Sequence, residues 1–268
     1  MDLHDYKDVA ENYDRYLDVM YEKEDIHHGF KEFYLKMAQQ YGRDGVIDVA
    51  CGTGAVLLYL AENGMDVEGT DISEEMCKVS LQKAKDKGFD LKVYPADMTK
   101  FSSGKKYSLA VIARSGFMHL TTPELQRAAL CNLREQLLPD GILTLNTFDP
   151  FPLIQAHQMQ NSPDGYEFRL EYINSEGQRE KIYNAITYDP VTQIMHGNWK
   201  FETLDDNGNI IGERIRPLHM RQTYRQEMYY LAELCGFEVQ ALYQDYNFKP
   251  AEENRCQHNL IWVLKKKM

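Results

Sequence analysis

The chain has 268 residues, of which 43% are hydrophobic, 26% charged and 12% aromatic, and its formal net charge is -11. That is the balance of a globular protein, long enough for one large domain or a domain carrying an insertion. So acidic a chain disfavours a nucleic-acid partner, because phosphate backbones are met by Lys- and Arg-rich surfaces.

No apolar run approaches the roughly 18 residues of a membrane helix. The first twenty residues carry acids where a secretion signal carries a basic region and then an apolar one. Cys51, Cys77, Cys131, Cys235 and Cys256 form no CxxC pair, so reduced thiols and a cytoplasmic location are expected, with no membrane partner.

Residues 1–42 read as helical, with Tyr13, Tyr16, Leu17 and Met20 at helical spacing and a second stretch from about His28 to Tyr41. Apolar strands then alternate with amphipathic helices. "GVIDVA" is the first strand, and "AVLLYLAENG" a helix closed by Gly64. "MDVEGTD" is the second strand, followed by a helix with Ser73 as N-cap and Gly88 as its stop. "DLKVYPAD" and "YSLAVIARS" are the third and fourth strands. A helix opens near "TTPELQ", with Pro123 suited to its first turn, and "ILTLNTFD" after the "LPDG" turn is the fifth strand. This alternation predicts a parallel sheet with helices on both faces.

After Pro150 the rhythm changes to period-2 segments, "EFRLEYI", "KIYNAITYD", "IMHGNWKFETL" and "IIGERIRPLHM", separated by the turn signals "NSEG", "DPVT" and "DDNGN". An antiparallel meander inserted into the parallel fold is expected. The helix "YRQEMYYLAELCGF" and the strands "EVQALYQ" and "NLIWVLK" return to the main sheet. The expected division is 1–150 with 221–268 as the main domain and 151–220 as the insertion.

The first strand ends at Asp48 and passes into a loop with Gly52 and Gly54. A dinucleotide-binding loop needs a third glycine where this chain has Leu57, and Asp48 would oppose a pyrophosphate. An acid there suits an ammonium or sulfonium group. Asp71, at the end of the second strand, can take both hydroxyls of a ribose, and Asp97, ending the third, can reach an exocyclic amine. The three acids describe a ligand with a ribose, a purine and a cationic amino-acid tail.

Asp48-Val49-Ala50-Cys51-Gly52-Thr53-Gly54, followed by Asp71 and Asp97 on the next two strand ends, resembles the class I S-adenosylmethionine-dependent methyltransferases. Ala50 stands where the family's motif has its first glycine. The resemblance implies a Rossmann-like seven-stranded α/β sheet whose last strand runs antiparallel, here with an inserted antiparallel β lid. It implies Ala50, Gly52 and Gly54 along the methionine portion of the cofactor and Asp71 at the ribose. Ile72 and Met98 would sandwich the adenine and Asp97 would accept from its N6 amine. Cys51, Met76, Ala113 and Arg114 are expected on the same wall.

The segment after the fourth strand, "ARSGFMHLTTPE", should face the reacting methyl. His119 is the candidate base, since imidazole titrates near neutrality, and His119-Leu120 is similar to an "HL" pair in small-molecule N- and O-methyltransferases, amino-sugar N-methyltransferases among them. The other reading of His119 is a loop anchor for the next helix. Arg114 argues against a metal, because metal-dependent O-methyltransferases place acids and an amide there. His27-His28 read as exposed polar positions. No proline follows the fourth strand in the manner of base amino-methyltransferases.

By the same resemblance, Tyr13 and Tyr21 in "AENYDRYLDVMYEKE" would contact the cofactor or the acceptor, with helix packing as the alternative. Phe117, Trp199, Arg216 and His219 are expected on the acceptor side. On a strand, Ile215, His219 and Arg221 share one face and Arg214, Arg216 and Met220 the other. The function expected is methyl transfer from S-adenosylmethionine to a nitrogen or oxygen of a small molecule. A protein or RNA acceptor, a dinucleotide-dependent oxidoreductase and a non-enzymatic S-adenosylmethionine binder are the alternatives. The aromatic-rich insertion could equally form a homodimer interface.

Overall fold

The structure is a computed structural model that describes residues 9–23, 28–149, 165–252 and 259–268, with the backbone alone for 21–23. Two helices, α1 (Tyr13–Lys23) and α2 (Phe30–Tyr41), precede β1 (Val46–Val49). Then come α3 (Ala55–Glu62), β2 (Val67–Asp71), α4 (Glu74–Asp86), β3 (Val93–Pro95), β4 (Tyr107–Ile112), a 3-10 turn (Gly116–His119), α5 (Pro123–Gln136) and β5 (Leu137–Thr147). β6 (Glu167–Ile173), β7 (Arg179–Asp189), β8 (Ile194–Leu204) and β9 (Ile210–Arg221) follow. The chain ends in α6 (Arg225–Leu234), β10 (Phe237–Tyr243) and β11 (Leu260–Lys266).

Seven strands form one sheet in the order β10-β11-β5-β4-β1-β2-β3. β11 runs antiparallel to both its neighbours, and β1 is parallel to β2 and to β4. The strand order therefore reverses between β1 and β4. Side chains alternate across each strand, and the core divides accordingly. Ile47, Val49, Ala110, Ile112, Leu143 and Leu145 meet α5 and α6 on one face. Val46, Leu109, Val111, Ile142, Ile261 and Val263 meet α2 and α3 on the other. Trp262 is fully buried because its indole N–H finds the Thr147 hydroxyl at 3.2 Å.

The helix signals act as the residue types dictate. Ser73 accepts the Met76 amide at 3.2 Å and Thr122 the Leu125 amide at 3.3 Å, with Pro123 opening α5. Two strands differ from expectation. β3 is reduced to Val93–Pro95. β5 begins at Leu137, not at Ile142: Leu137 pairs with Tyr107, the chain bulges out with Asp140 at φ 60°, and pairing resumes at Leu109–Ile142.

The four inserted strands form a separate antiparallel sheet in sequence order. Its turns are built by acceptor side chains. Asn174 Oδ1 takes the amides of Glu176 and Gln178, Asp189 Oδ1 that of Val191, and Asp205 Oδ1 those of Asn207 and Asn209. The inner face, with Leu170, Tyr172, Ile182 and Phe201, packs on Tyr16 and Leu17 of α1. The far end, Met195 and Met220, packs on Met118 of the 3-10 turn. Helix α1 is thus held by the insertion. None of the helices among the described residues is long and apolar enough to cross a membrane.

Candidate active site

A cavity of about 190 Å³ opens beyond the carboxyl ends of β1 and β4, the point of reversal where open α/β sheets place ligands. The loop after β1 forms its floor. Ala50 and Gly52 both have φ 56° and Gly54 has φ 86°. For Ala50 this left-handed conformation costs roughly 1–2 kcal/mol that a glycine would avoid. A Cβ on Gly52 would project into open space, whereas one on Gly54 would lie 2.4 Å from Ser80 Oγ. Gly54 is therefore a packing glycine behind the cavity wall, where α3 meets α4, and not part of the lining.

Asp48 shares its strand face with Val46, toward α3, and its Oδ2 accepts the Leu57 amide at 3.0 Å. It supplies the cap that Gly54, the side-chain-less N-cap of α3, cannot. Its Oδ1 is buried without a partner. Burial pushes the carboxyl up to about 8, against the pull of the Leu57 amide and helped by the charge of Asp71. Asp71 ties the loop down, with Oδ2 accepting Gly52 N–H at 2.8 Å and Oδ1 accepting Ser73 N–H at 2.9 Å. Asp97 Oδ1 accepts the amide and hydroxyl of Thr99 at 2.9 and 2.7 Å. Burial would raise this carboxyl, but the Thr99 donors and Lys100 outweigh it and hold it below its ordinary value. Burial raises the Cys51 thiol well above its usual range, reinforced by Asp48 and Asp71, so it is no nucleophile.

The roof is the loop after β4. Arg114 and Ser115 both take left-handed conformations, at φ 52° and 61°. The fully buried Asn146 holds them there: its Oδ1 accepts the Ser115 amide at 2.9 Å and its Nδ2 donates to the Ser115 hydroxyl at 3.1 Å. The Arg114 guanidinium lies 5.7 Å from the Tyr13 ring and 5.6 Å from Phe30. His119, half-buried, ends the 3-10 turn on the cavity wall.

Of the residues singled out in the sequence, Tyr13, Asp48, Ala50, Cys51, Gly52, Asp71, Ile72, Met76, Asp97, Met98, Ala113, Arg114, His119 and His219 line this one cavity. Three acceptor-side expectations do not meet there. Phe117 is fully buried in the core beside α5, because the 3-10 turn points it inward. Trp199 packs against Tyr16 with ring centroids 6.2 Å apart, and Arg216 stands opposite Trp199 in the β8–β9 register, off the lining. The side chain of Tyr21, like His27, falls outside the described residues; His28 is exposed. Leu120 and Thr121, in the segment after the fourth strand expected to face the methyl, line the cavity, and Thr53, Val56, Leu125 and Leu218 line it without having been assigned to it. Leu218 had a signal in strand parity, being two residues from Met220 on the inward face; Leu125 sits in the first turn of α5, and only the tertiary fold brings it in. Among the described residues no group of three or more His, Cys, Asp or Glu is placed to hold a metal ion.

The sheet order with its lone antiparallel strand, and an acid-rimmed glycine loop at the reversal point, define the Rossmann-like methyltransferase fold. Residues 46–141 match the family model described as a methyltransferase domain. A Geobacillus sp. (strain WCH70) protein named as a methyltransferase is 24% identical over 242 residues, 88% of this chain and 92% of its own. The dTDP-3-amino-3,6-dideoxy-alpha-D-glucopyranose N,N-dimethyltransferase of Streptomyces fradiae is 33% identical over 100 residues, 37% of this chain and 38% of that one. Among solved structures, an S-adenosylmethionine-dependent methyltransferase from Clostridium acetobutylicum superposes with a TM-score of 0.74 at 14% identity, covering 90% of this chain and 92% of the other. Residues 46–141 thus match a methyltransferase domain, and the chain acts as an S-adenosylmethionine-dependent methyltransferase with S-adenosylmethionine as its methyl donor.

The residues present fit that donor. Among the described residues, Asp48 Oδ1 is the one buried unpartnered side-chain atom that belongs to a cavity-lining residue. It is a carboxyl oxygen whose hydrogen-bonding capacity a donor or a cation would satisfy.

Proposed function

We propose that the enzyme methylates a nitrogen or oxygen of a small-molecule acceptor, with the insertion 151–220 closing the acceptor side of the site. The observation that carries this reading is the enclosure of the cavity. Its wall facing the glycine loop comes from Tyr13 of α1, His119 of the 3-10 turn, and Leu218 and His219 of β9, which favours a small acceptor over a segment of macromolecule. The relatives named as N-methyltransferases for an amino sugar, and for glycine and sarcosine in Aphanothece halophytica at 30% identity over 43% of this chain and 44% of that one, support it.

In this reading Asp71 holds the ribose hydroxyls and Asp97 the adenine amine. Ile72 and Met98 flank the base, Ala50 and Gly52 line the methionine portion, and Asp48 faces its cationic end. When bound, S-adenosylmethionine supplies an electrophilic methyl group on a sulfonium. The chain's own task is alignment and water exclusion, with a base wherever the acceptor must lose a proton. His119 serves as that base or orients the acceptor; Tyr13 closes over the site from α1.

Incubation with methyl-labelled S-adenosylmethionine and a panel of glycine, sarcosine and dTDP-amino sugars tests the acceptor class. Label should enter a small amine or hydroxyl compound, and His119→Ala should lower turnover while cofactor affinity stays nearly intact. Label appearing only in macromolecules of a cell extract would overturn the acceptor class. Lost cofactor binding in the variant would make His119 structural.

A further inference from the structure

Two imidazoles meet on the inserted sheet. His219 on β9 lines the cavity and stands directly across from His196 on β8. The register runs unbroken on both sides of the pair, Met195 with Met220 and Gly197 with Leu218, so the strand ladder sets the distance between the two side chains. Their Nδ1 atoms lie 2.9 Å apart and the ring planes meet at 74°. His219 is half-buried and His196 exposed, which leaves the pair an open side toward solvent.

A hydrogen bond, with one proton between the two nitrogens on either ring, is one state that this spacing allows. A shared metal ion is another. An imidazole nitrogen binds a first-row divalent ion at about 2.0–2.1 Å. Two such bonds at a right angle, as in square-planar and tetragonal coordination, put the nitrogens about 2.9 Å apart, where tetrahedral bonds would put them about 3.3 Å apart. Copper(II) and nickel(II) take the right-angle geometry with nitrogen ligands. The rings need only turn about χ2, a soft torsion for histidine, to aim both lone pairs at one point. No particular starting tautomer is required. The ion takes the place of the shared proton, which moves to Nε2 of its own ring, and both imidazoles stay neutral.

We propose that His196 and His219 form a two-histidine site for a copper(II)- or nickel(II)-class ion, clipping β8 to β9 beside the cavity. Among the described residues no third His, Cys, Asp or Glu joins them, so the ion completes its sphere with water and binds reversibly. The site stands on the insertion, apart from the loop after β4, and does not depend on the methyl-transfer reading.

Calorimetric titration with nickel(II) chloride, in a buffer that does not ligate metals, tests the proposal, with copper(II) electron-spin resonance alongside. The chain has eight histidines, so the informative quantity is the difference between wild type and variants. One site should weaken at least tenfold in His196→Ala and in His219→Ala, while His28→Ala, an exposed histidine elsewhere, should keep it. His196 is itself exposed, so its replacement should leave the circular dichroism spectrum unchanged. Nitrogen splitting in the copper spectrum should fall from two ligands to one in either variant. Nickel affinity unchanged in both variants, or a wild-type copper spectrum without a pair of nitrogen ligands, would overturn the proposal.

Discussion

Asp14 of α1 accepts the hydroxyl proton of Thr53, in the glycine loop, at 2.7 Å, across 39 residues of sequence. Lys83 of α4 donates both to Asp14 and to the Thr53 carbonyl, the latter at 3.0 Å. The helix carrying Tyr13 is thereby latched to the loop that floors the cavity, one residue from Tyr13 itself.

Asp14→Ala should cost little global stability, about 1 kcal/mol or less for a pair one-third exposed on each side. It should release α1 locally. Amide hydrogen exchange from Tyr13 to Met20 should speed up well beyond the change in the core strands. Uniform acceleration throughout the chain would contradict the latch.

Gly116, after β4, packs directly against Ala50 of the loop after β1. A Cβ on Gly116 would lie 3.1 Å from that of Ala50 and 3.1 Å from Ile112 Cγ2. Gly116→Ala should destabilise by about 1–3 kcal/mol through overpacking. Ala50→Gly should stabilise by about 1 kcal/mol by removing the left-handed penalty. In urea denaturation the double variant should recover part of the Gly116→Ala loss, a coupling that independent sites would not give.

Asp48 gives stability a pH dependence of known sign. Its carboxyl is raised in the folded protein to about 8, so the folded state holds a proton that the unfolded chain sheds at the ordinary value. This contribution is fully present below the unfolded value and is lost as pH rises through about 8. Asp48→Asn should therefore match the wild type near pH ~4 and exceed it by several kcal/mol, in order of magnitude, above pH ~8. Thermal melts of the two ligand-free proteins across that range check it, and parallel curves would contradict it.

Arg221 ends β9 buried between the insertion and α5, donating to Gln126 Oε1 at 2.8 Å and to Glu227 Oε1 at 2.6 Å, and to Gln193. Arg221→Met leaves Gln193 Oε1 and Glu227 Oε1 without their donor, Gln126 keeping the Thr223 hydroxyl, and should cost about 2–4 kcal/mol. The measurement is the denaturation midpoint. A loss below about 1 kcal/mol would mean that the contact behaves as a surface pair.

Much of this was readable from the chain, for local reasons. Asp48, Gly52, Asp71 and Asp97 fall at strand ends, and strand ends are marked by apolar runs closing on glycine or acid. The inserted meander announces itself because Asn174, Asp189 and Asp205 each build their own turn. What escaped was set by tertiary geometry. "LPDG" reads as a turn before β5, yet Leu137 already pairs with Tyr107, so the turn is a bulge inside the strand. Phe117 lies in a cavity-facing segment, but the short 3-10 turn buries Phe117 and Met118 side by side, and Phe117 ends in the core beside α5. The placement of Asp48, capping α3 with one oxygen while the other stays buried without a partner, depends on which sheet face it occupies.

The most direct measurement is calorimetric titration of the purified protein with S-adenosylhomocysteine, with Asp71→Ala measured alongside. One-site saturable binding to the wild type, weakened at least tenfold (about 1.4 kcal/mol) in the variant, is the expected result. Wild-type binding that survives Asp71→Ala unchanged would contradict the placement of the ribose at that carboxylate, and with it the orientation of the whole site.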